Sequence, residues 1–208
     1  MNRDSIKNII EAALMVADEP LDIEQILELW GAEAEPPLRE SVEAALAALD
    51  KDYQNRGIEL KLVASGYRIQ ARAGLAPILN RVFERRSPRY SRALLETLAV
   101  IAYRQPVTRA EIEAIRGVAV SSNIVRTLTE REWIRVAGHR DIPGRPAVYA
   151  TTREFLDYFN LRSLADLPDL AELRDIDGVN ADLFAESPAE VLGQADEPEI
   201  TTIAAAAR

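Results

Sequence analysis

Cysteine is absent from the 208 residues, and histidine occurs once, at position 139. The first absence excludes a disulfide framework, a thiolate nucleophile and any cysteine-based metal site, and it is compatible with a reducing compartment. A single imidazole, His139, in a glycine-flanked loop without a serine nucleophile pattern, fits a surface residue better than a general base or metal ligand. The opening MNRDSIKNIIEAALMVADEP has charges running through its apolar face, so it reads neither as a signal peptide nor as a membrane span. A cytoplasmic protein without membrane contact is expected. Phosphate-cradling glycine loops, paired-glycine dinucleotide fingerprints and the His-Glu-x-x-His zinc motif are also missing. No catalytic residue, metal ligand or cofactor is assigned, and an enzyme is not expected.

What is present is apolar content of 48% with only 9 Gly and 11 Pro, enough to bury one or two cores. The net charge of −9 is unevenly spread. Met1 to Ala73 carries 8 basic and 14 acidic residues, Gly74 to Leu164 carries 15 and 9, and Ala165 to Arg208 carries 2 and 11. An acidic total therefore hides a basic middle, which suits nucleic acid or an acidic protein; charge alone does not choose between them.

One pattern occurs twice. In the first half, Ile6, Ile9, Ile10, Ala13, Leu14 and Ala17 recur at helical steps behind Asp4 as a candidate cap. PLDIEQILELWG follows, with Asp22 and Gln25 at capping-box spacing, Leu21 and Ile26 as a hydrophobic staple, and Gly31 as a left-handed stop. PPLRESVEAALAALDKDY places Leu38, Val42, Ala45, Leu46, Leu49 and Tyr53 on one side of a third helix, closed at Arg56-Gly57. Alternation at Ile58, Leu60 and Leu62, a turn at Ser65-Gly66, and Tyr67, Ile69 and Ala71 complete a hairpin. Three helices and a hairpin spell a winged helix. In the second half SRALLETLAVIAYRQ buries Leu94, Leu95, Leu98, Ile101 and Ala102, and RQPVTRAEIEAIRG then repeats the first copy at an offset of 86 residues. Pro20 falls on Pro106, Leu21 on Val107, Asp22 on Thr108, Gln25 on Glu111, Ile26 on Ile112 and Gly31 on Gly117. A third helix near Ser121 to Arg131 buries Ile124 and Leu128. Strands at Trp133 to Ala137 and Ala147 to Thr151 flank a longer wing, and a capping box from Thr151 to Glu154 opens a helix with Phe155 and Phe159.

The expected class is mainly α with small β hairpins (α+β). Two tandem winged helices occupy 1–73 and 91–164, joined by a basic linker over 74–90 and followed by an acidic, partly disordered tail over 165–208. Within that tail, Leu164, Leu167, Leu170 and Leu173 have the spacing of a short amphipathic segment.

A winged helix that reads DNA needs third-helix side chains at base edges and cations on phosphate. Ser122, Asn123, Arg126 and Thr127 are candidates for the former, and Arg126, Arg131, Arg140 and Arg145 for the latter. Glu130 and Glu132 weaken that field, and the caps and staples explain the helix-turn-helix spacing without any ligand. In GHRDIPGRPAVY, two glycines and two prolines fix a compact wing from which Arg140 and Arg145 offer bidentate grips on phosphate or carboxylate, unless Arg145 pairs locally with Asp141. RVFERRSPRYSR gathers Arg81, Arg85, Arg86, Arg89 and Arg92 in the linker, as a docking strip for an acidic partner or simply as a solvated connection.

The runs LLETLAVIAYRQPVTRAEIEAIRGV, VRTLTEREWI, PGRPAVYATTREFLDYF and LRSLADLPDL, with EAALMVADEPLDIEQILEL in the first copy, resemble the segregation and condensation protein B family across most of Ser5 to Leu170. The resemblance implies two winged helices in a homodimeric, non-catalytic subunit. It implies attachment to a kleisin subunit (segregation and condensation protein A) and through it to the Smc ATPase, in support of chromosome condensation and partition. It further implies kleisin contact on the second winged helix and self-association through the first, with a nucleoid-associated location and DNA contact that is indirect or weak. The rival reading is a transcriptional regulator whose Ser122, Asn123 and Arg126 read a major groove.

Overall fold

Side-chain caps open several of the helices in the structure, a computed structural model that describes residues 3–31, 36–82 and 90–169. In the first half, α1 (Arg3–Val16) buries Ile6, Ile10 and Leu14 along one stripe. Asp22 caps α2 (Ile23–Glu28): its carboxylate accepts the Gln25 N–H at 2.8 Å, and the Gln25 side chain accepts the Asp22 N–H at 2.9 Å. α3 (Arg39–Tyr53) contributes Val42, Ala45, Leu46, Leu49 and Tyr53 to the same core. β1 (Ile58–Val63) pairs antiparallel with β2 (Gly66–Ala71) in an unbroken register from Ile58 opposite Ala71 to Val63 opposite Gly66. Leu21 adds a third rung, since its N–H donates to the Tyr67 carbonyl and its carbonyl accepts the Tyr67 N–H.

Three expectations for this half are corrected. Asp4 lies inside the first turn of α1 and not at its cap. Leu38 is 74% exposed, because the chain enters α3 in an extended conformation and Leu38 sits just ahead of the first helical turn. The hairpin turn is Ala64-Ser65, leaving Gly66 as the first residue of β2 with φ +141°.

A short 3-10 turn (Ala73–Leu75) and α4 (Ala76–Val82) follow. The second half repeats the plan. α5 (Arg92–Arg104) runs through a core that includes Leu94, Leu98 and Ile101. β3 (Val107–Thr108) leads into α6 (Arg109–Arg116), with a full capping box between Thr108 and Glu111 and Gly117 left-handed at φ +72°. α7 (Ser122–Glu130) starts on Ser121 and buries Leu128 completely, while Ile124 is partly buried. β4 (Ile134–His139) and β5 (Ala147–Thr151) form the wing, bulged between Val136 and Gly138, and β5 lies between β3 and β4. Val107 opposite Tyr149 is the counterpart of Leu21 opposite Tyr67.

The last helix, α8 (Arg153–Tyr158), is capped by Thr152, whose hydroxyl accepts the Phe155 N–H at 3.2 Å. The expected Thr151 cap is thus displaced by one residue. Thr151 instead bonds the Gln105 side chain, its N–H donating to Oε1 at 2.8 Å. A 3-10 turn (Leu164–Asp166) brings Leu167 against the second core, whereas Leu164 is exposed. Leu170, Leu173 and the rest of the acidic tail lie outside the described residues. Two separate cores, one per winged helix, organise the described chain as far as Leu167.

Candidate partner-binding surfaces

The exposed side of α7 does carry Ser122, Asn123 and Arg126; the Ser122 and Arg126 side chains are engaged locally, and Asn123 is engaged through its backbone amide. Ser122 Oγ accepts from Arg109 Nη1 at 3.1 Å, the Asn123 N–H donates to the Ser121 cap at 3.2 Å, and Arg126 Nε meets Glu130 one turn on at 3.2 Å. In the wing, Arg140 Nη2 reaches both the Pro106 carbonyl and Glu111 Oε1 at 3.4 Å. Arg145 is exposed, with φ +39° and its N–H on the Ile142 carbonyl at 2.8 Å; no ion pair to Asp141 forms among the described residues. Arg92 pairs with Glu96 at 2.8 Å, and Arg81 is exposed at the end of α4. Arg85, Arg86 and Arg89 lie outside the described residues.

Sequence reading missed the residue that organises the loop from α6 to α7. Arg109 Nε pairs with Glu113 at 3.1 Å while its Nη2 donates to the Val120 carbonyl, and Glu113 Oε1 accepts the Val120 N–H at 2.9 Å. The backbone amide of Val120 and the Arg109 charge together hold the Glu113 carboxyl below the usual glutamate value. Glu111 is lowered in the same direction, first by the Thr108 amide and hydroxyl and then by Arg140. Glu96 is lowered by Arg92 and by Arg116, whose side chain is only 7% exposed and also donates to Thr97 Oγ1. Five arginines of this half, at 92, 109, 116, 126 and 140, thus have a glutamate within 3.4 Å. Phosphate would have to displace those partners, so the basic count of the segment overstates the field it offers.

Arg131 lies apart from the wing arginines, on an aromatic cluster. Its guanidinium stands 4.8 Å from the Tyr90 ring centroid and 5.5 Å from that of Trp133, and Nη1 donates to the Tyr90 hydroxyl at 2.9 Å. Trp133 packs in turn on Tyr158 and Phe159, at 4.6 and 5.3 Å between centroids. The Tyr90 and Tyr158 hydroxyls are 3.1 Å apart. Burial, and then that hydroxyl contact, push the Tyr90 phenol up to about 12. Arg131 is exposed, and its guanidinium is held over the aromatic cluster by stacking and one hydrogen bond.

The chain matches the family described as segregation and condensation complex subunit ScpB across residues 8–170, which takes in both winged helices. It belongs to the ScpB family. A segregation and condensation protein B homolog of Coxiella burnetii is 50% identical over 192 residues, covering 92% of this chain and 91% of that protein. Segregation and condensation protein B of Syntrophotalea carbinolica is 43% identical over 178 residues, 85% of this chain and 87% of that protein. Among solved structures, the ScpB of Mycobacterium tuberculosis is similar at 35% identity over 76% of this chain and 97% of that one, with a TM-score of 0.35. Among the described residues, no helix is long and apolar enough to cross a membrane.

Proposed function

We propose that this ScpB-family chain is a non-catalytic scaffold: a homodimer that binds the kleisin ScpA, reaches the Smc ATPase through it, and supports chromosome condensation and partition. The observation that carries the reading is the family match over residues 8–170, continuous through both winged helices. Division of labour follows the sequence plan, with self-association through the first unit (1–73), kleisin contact on the second (91–164), and the linker (74–90) and acidic tail (165–208) flanking it. Exposed apolar side chains support the two contacts: Met15 and Val16 at the end of α1, and Ile115, Val118, Val136 and Ile142 around α6 and the wing. Ser122, Asn123, Arg126, Arg140 and Arg145 orient the kleisin segment, with charges that steer association more than they add affinity. Residence is cytoplasmic and nucleoid-associated through the complex, and DNA contact is weak.

Internal pairing of the arginines favours this reading over a sequence-reading regulator, because a base-reading helix needs its cations free. The test is co-expression with ScpA followed by size-exclusion chromatography with light scattering, beside a DNA shift assay at two salt concentrations. A dimer that retains ScpA, with at most a salt-sensitive and unselective shift, is expected. A selective shift that survives moderate salt and disappears in Arg126→Ala would overturn the proposal, as would a monomer that retains no ScpA.

A further inference from the structure

The hairpin of the first winged helix reaches α8 of the second through a small polar node. The Ser65 N–H donates to Asp157 Oδ1 at 2.9 Å. From β2, Arg68 Nη2 donates both to the Asp157 carbonyl at 2.9 Å and to Asn160 Oδ1 at 2.7 Å. Asp157 is only 6% exposed, and a carboxylate is kept that far from water at a cost unless hydrogen bonds replace its hydration. Each half has local supports of its own at these positions. The β1–β2 register closes the turn at Ser65 unaided, and α8 is started by Thr152 and anchored by buried Phe155. Asn160 holds φ +58°, the left-handed conformation in which asparagine is tolerated, and there it offers its amide oxygen to Arg68. Beside the node lies a cleft of about 530 Å³, with Asp18, Glu19 and Gln25 from one winged helix facing Arg153, Trp133 and Tyr158 from the other.

The geometry points to a latch: Arg68, Asp157, Asn160 and the Ser65 amide hold the two winged helices at one angle and thereby set the width of that cleft. Side-chain and backbone groups about ninety residues apart in sequence close it. A guanidinium bridging two acceptors is directional, so a change in angle breaks both bonds together.

The chain has no cysteine, which permits a clean distance measurement. Spin labels on Asp50→Cys and Thr129→Cys, at exposed positions of α3 and α7, are measured by pulsed electron resonance on the full chain diluted with unlabelled chain, so that distances within one chain dominate. The parent gives one narrow distribution. Arg68→Ala and Asn160→Gly at least double its width, and Arg68→Lys, which keeps one donor group, falls between. Should Arg68→Ala fail to fold by circular dichroism, Asn160→Gly carries the test, since glycine accepts the same backbone and removes the side-chain carboxamide that Arg68 bonds. Distributions for both variants that superimpose on the parent overturn the latch, as does a parent already as broad as its variants.

Discussion

Asp22 and Thr108 open equivalent helices, each with a box partner three residues on, and Leu21 and Val107 bond the same tyrosine position of the hairpin behind them. Beyond that shared frame the two halves part. The first has a tight two-residue turn and an acidic balance; the second has a bulged, extended wing and a basic balance in which five arginines are paired with its own glutamates. Caps, staple and core are therefore what make a winged helix, while the wing, the charges and the ends are free to differ. Shared features specify how the chain folds, and the differing ones are where two units of one design can take separate partners.

The comparison can be broken most forcefully at the cores. Ile26 and Ile112 are aligned and both wholly buried. Ile26→Ala and Ile112→Ala should each cost about 2–5 kcal/mol in urea unfolding; a loss in one with no loss in the other would mean that the two positions are not equivalent. A smaller effect is expected at the caps. Thr108→Ala removes a nearly buried cap and should cost about 1 kcal/mol, while Asp22→Ala, whose freed amide can turn to water, should cost less.

Acid sharpens the contrast further. Glu96, Glu111 and Glu113 in the second half are held below the ordinary value of 4.5 by their amide and arginine partners, so their contribution is complete above that value and disappears as pH falls through their folded values. In the first half Asp52 is lowered in the same direction by Lys7. Thermal melts followed from pH 7 to pH 3 by the fluorescence of Trp133 in Trp30→Phe, and of Trp30 in Trp133→Phe, should show the second winged helix losing stability earlier. The smallest change belongs to Arg126→Ala, whose exposed pair with Glu130 should shift stability by no more than about 0.5 kcal/mol while ScpA retention falls. A large loss of stability there would move Arg126 from the partner surface into the fold.

Most of the helix boundaries were legible because caps and staples act within four residues, a distance that a linear reading covers. Thr152 was missed for the opposite reason: Thr151 and Thr152 are adjacent and chemically alike, and only Gln105, 46 residues away, decides which of them is left to cap α8. The same division holds for the arginines. Arg126 with Glu130 and Arg109 with Glu113 are visible as helical spacings, whereas Arg140 with Glu111 and Arg116 with Glu96 join separate elements and leave no local trace. Arg131 reads as a surface cation and is exposed, but its stacking on Tyr90 and Trp133 leaves no local trace in the sequence.

Gly66 places its bare α-carbon directly against the Leu21–Asp22 peptide, so that even a methyl group there would collide with backbone. That missing side chain is a keystone. Alanine at this one position would shoulder aside the residue that starts α2 and, through neighbouring Ser65, disturb the grip on Asp157, so damage at a hairpin in the acidic half would be felt in the basic one.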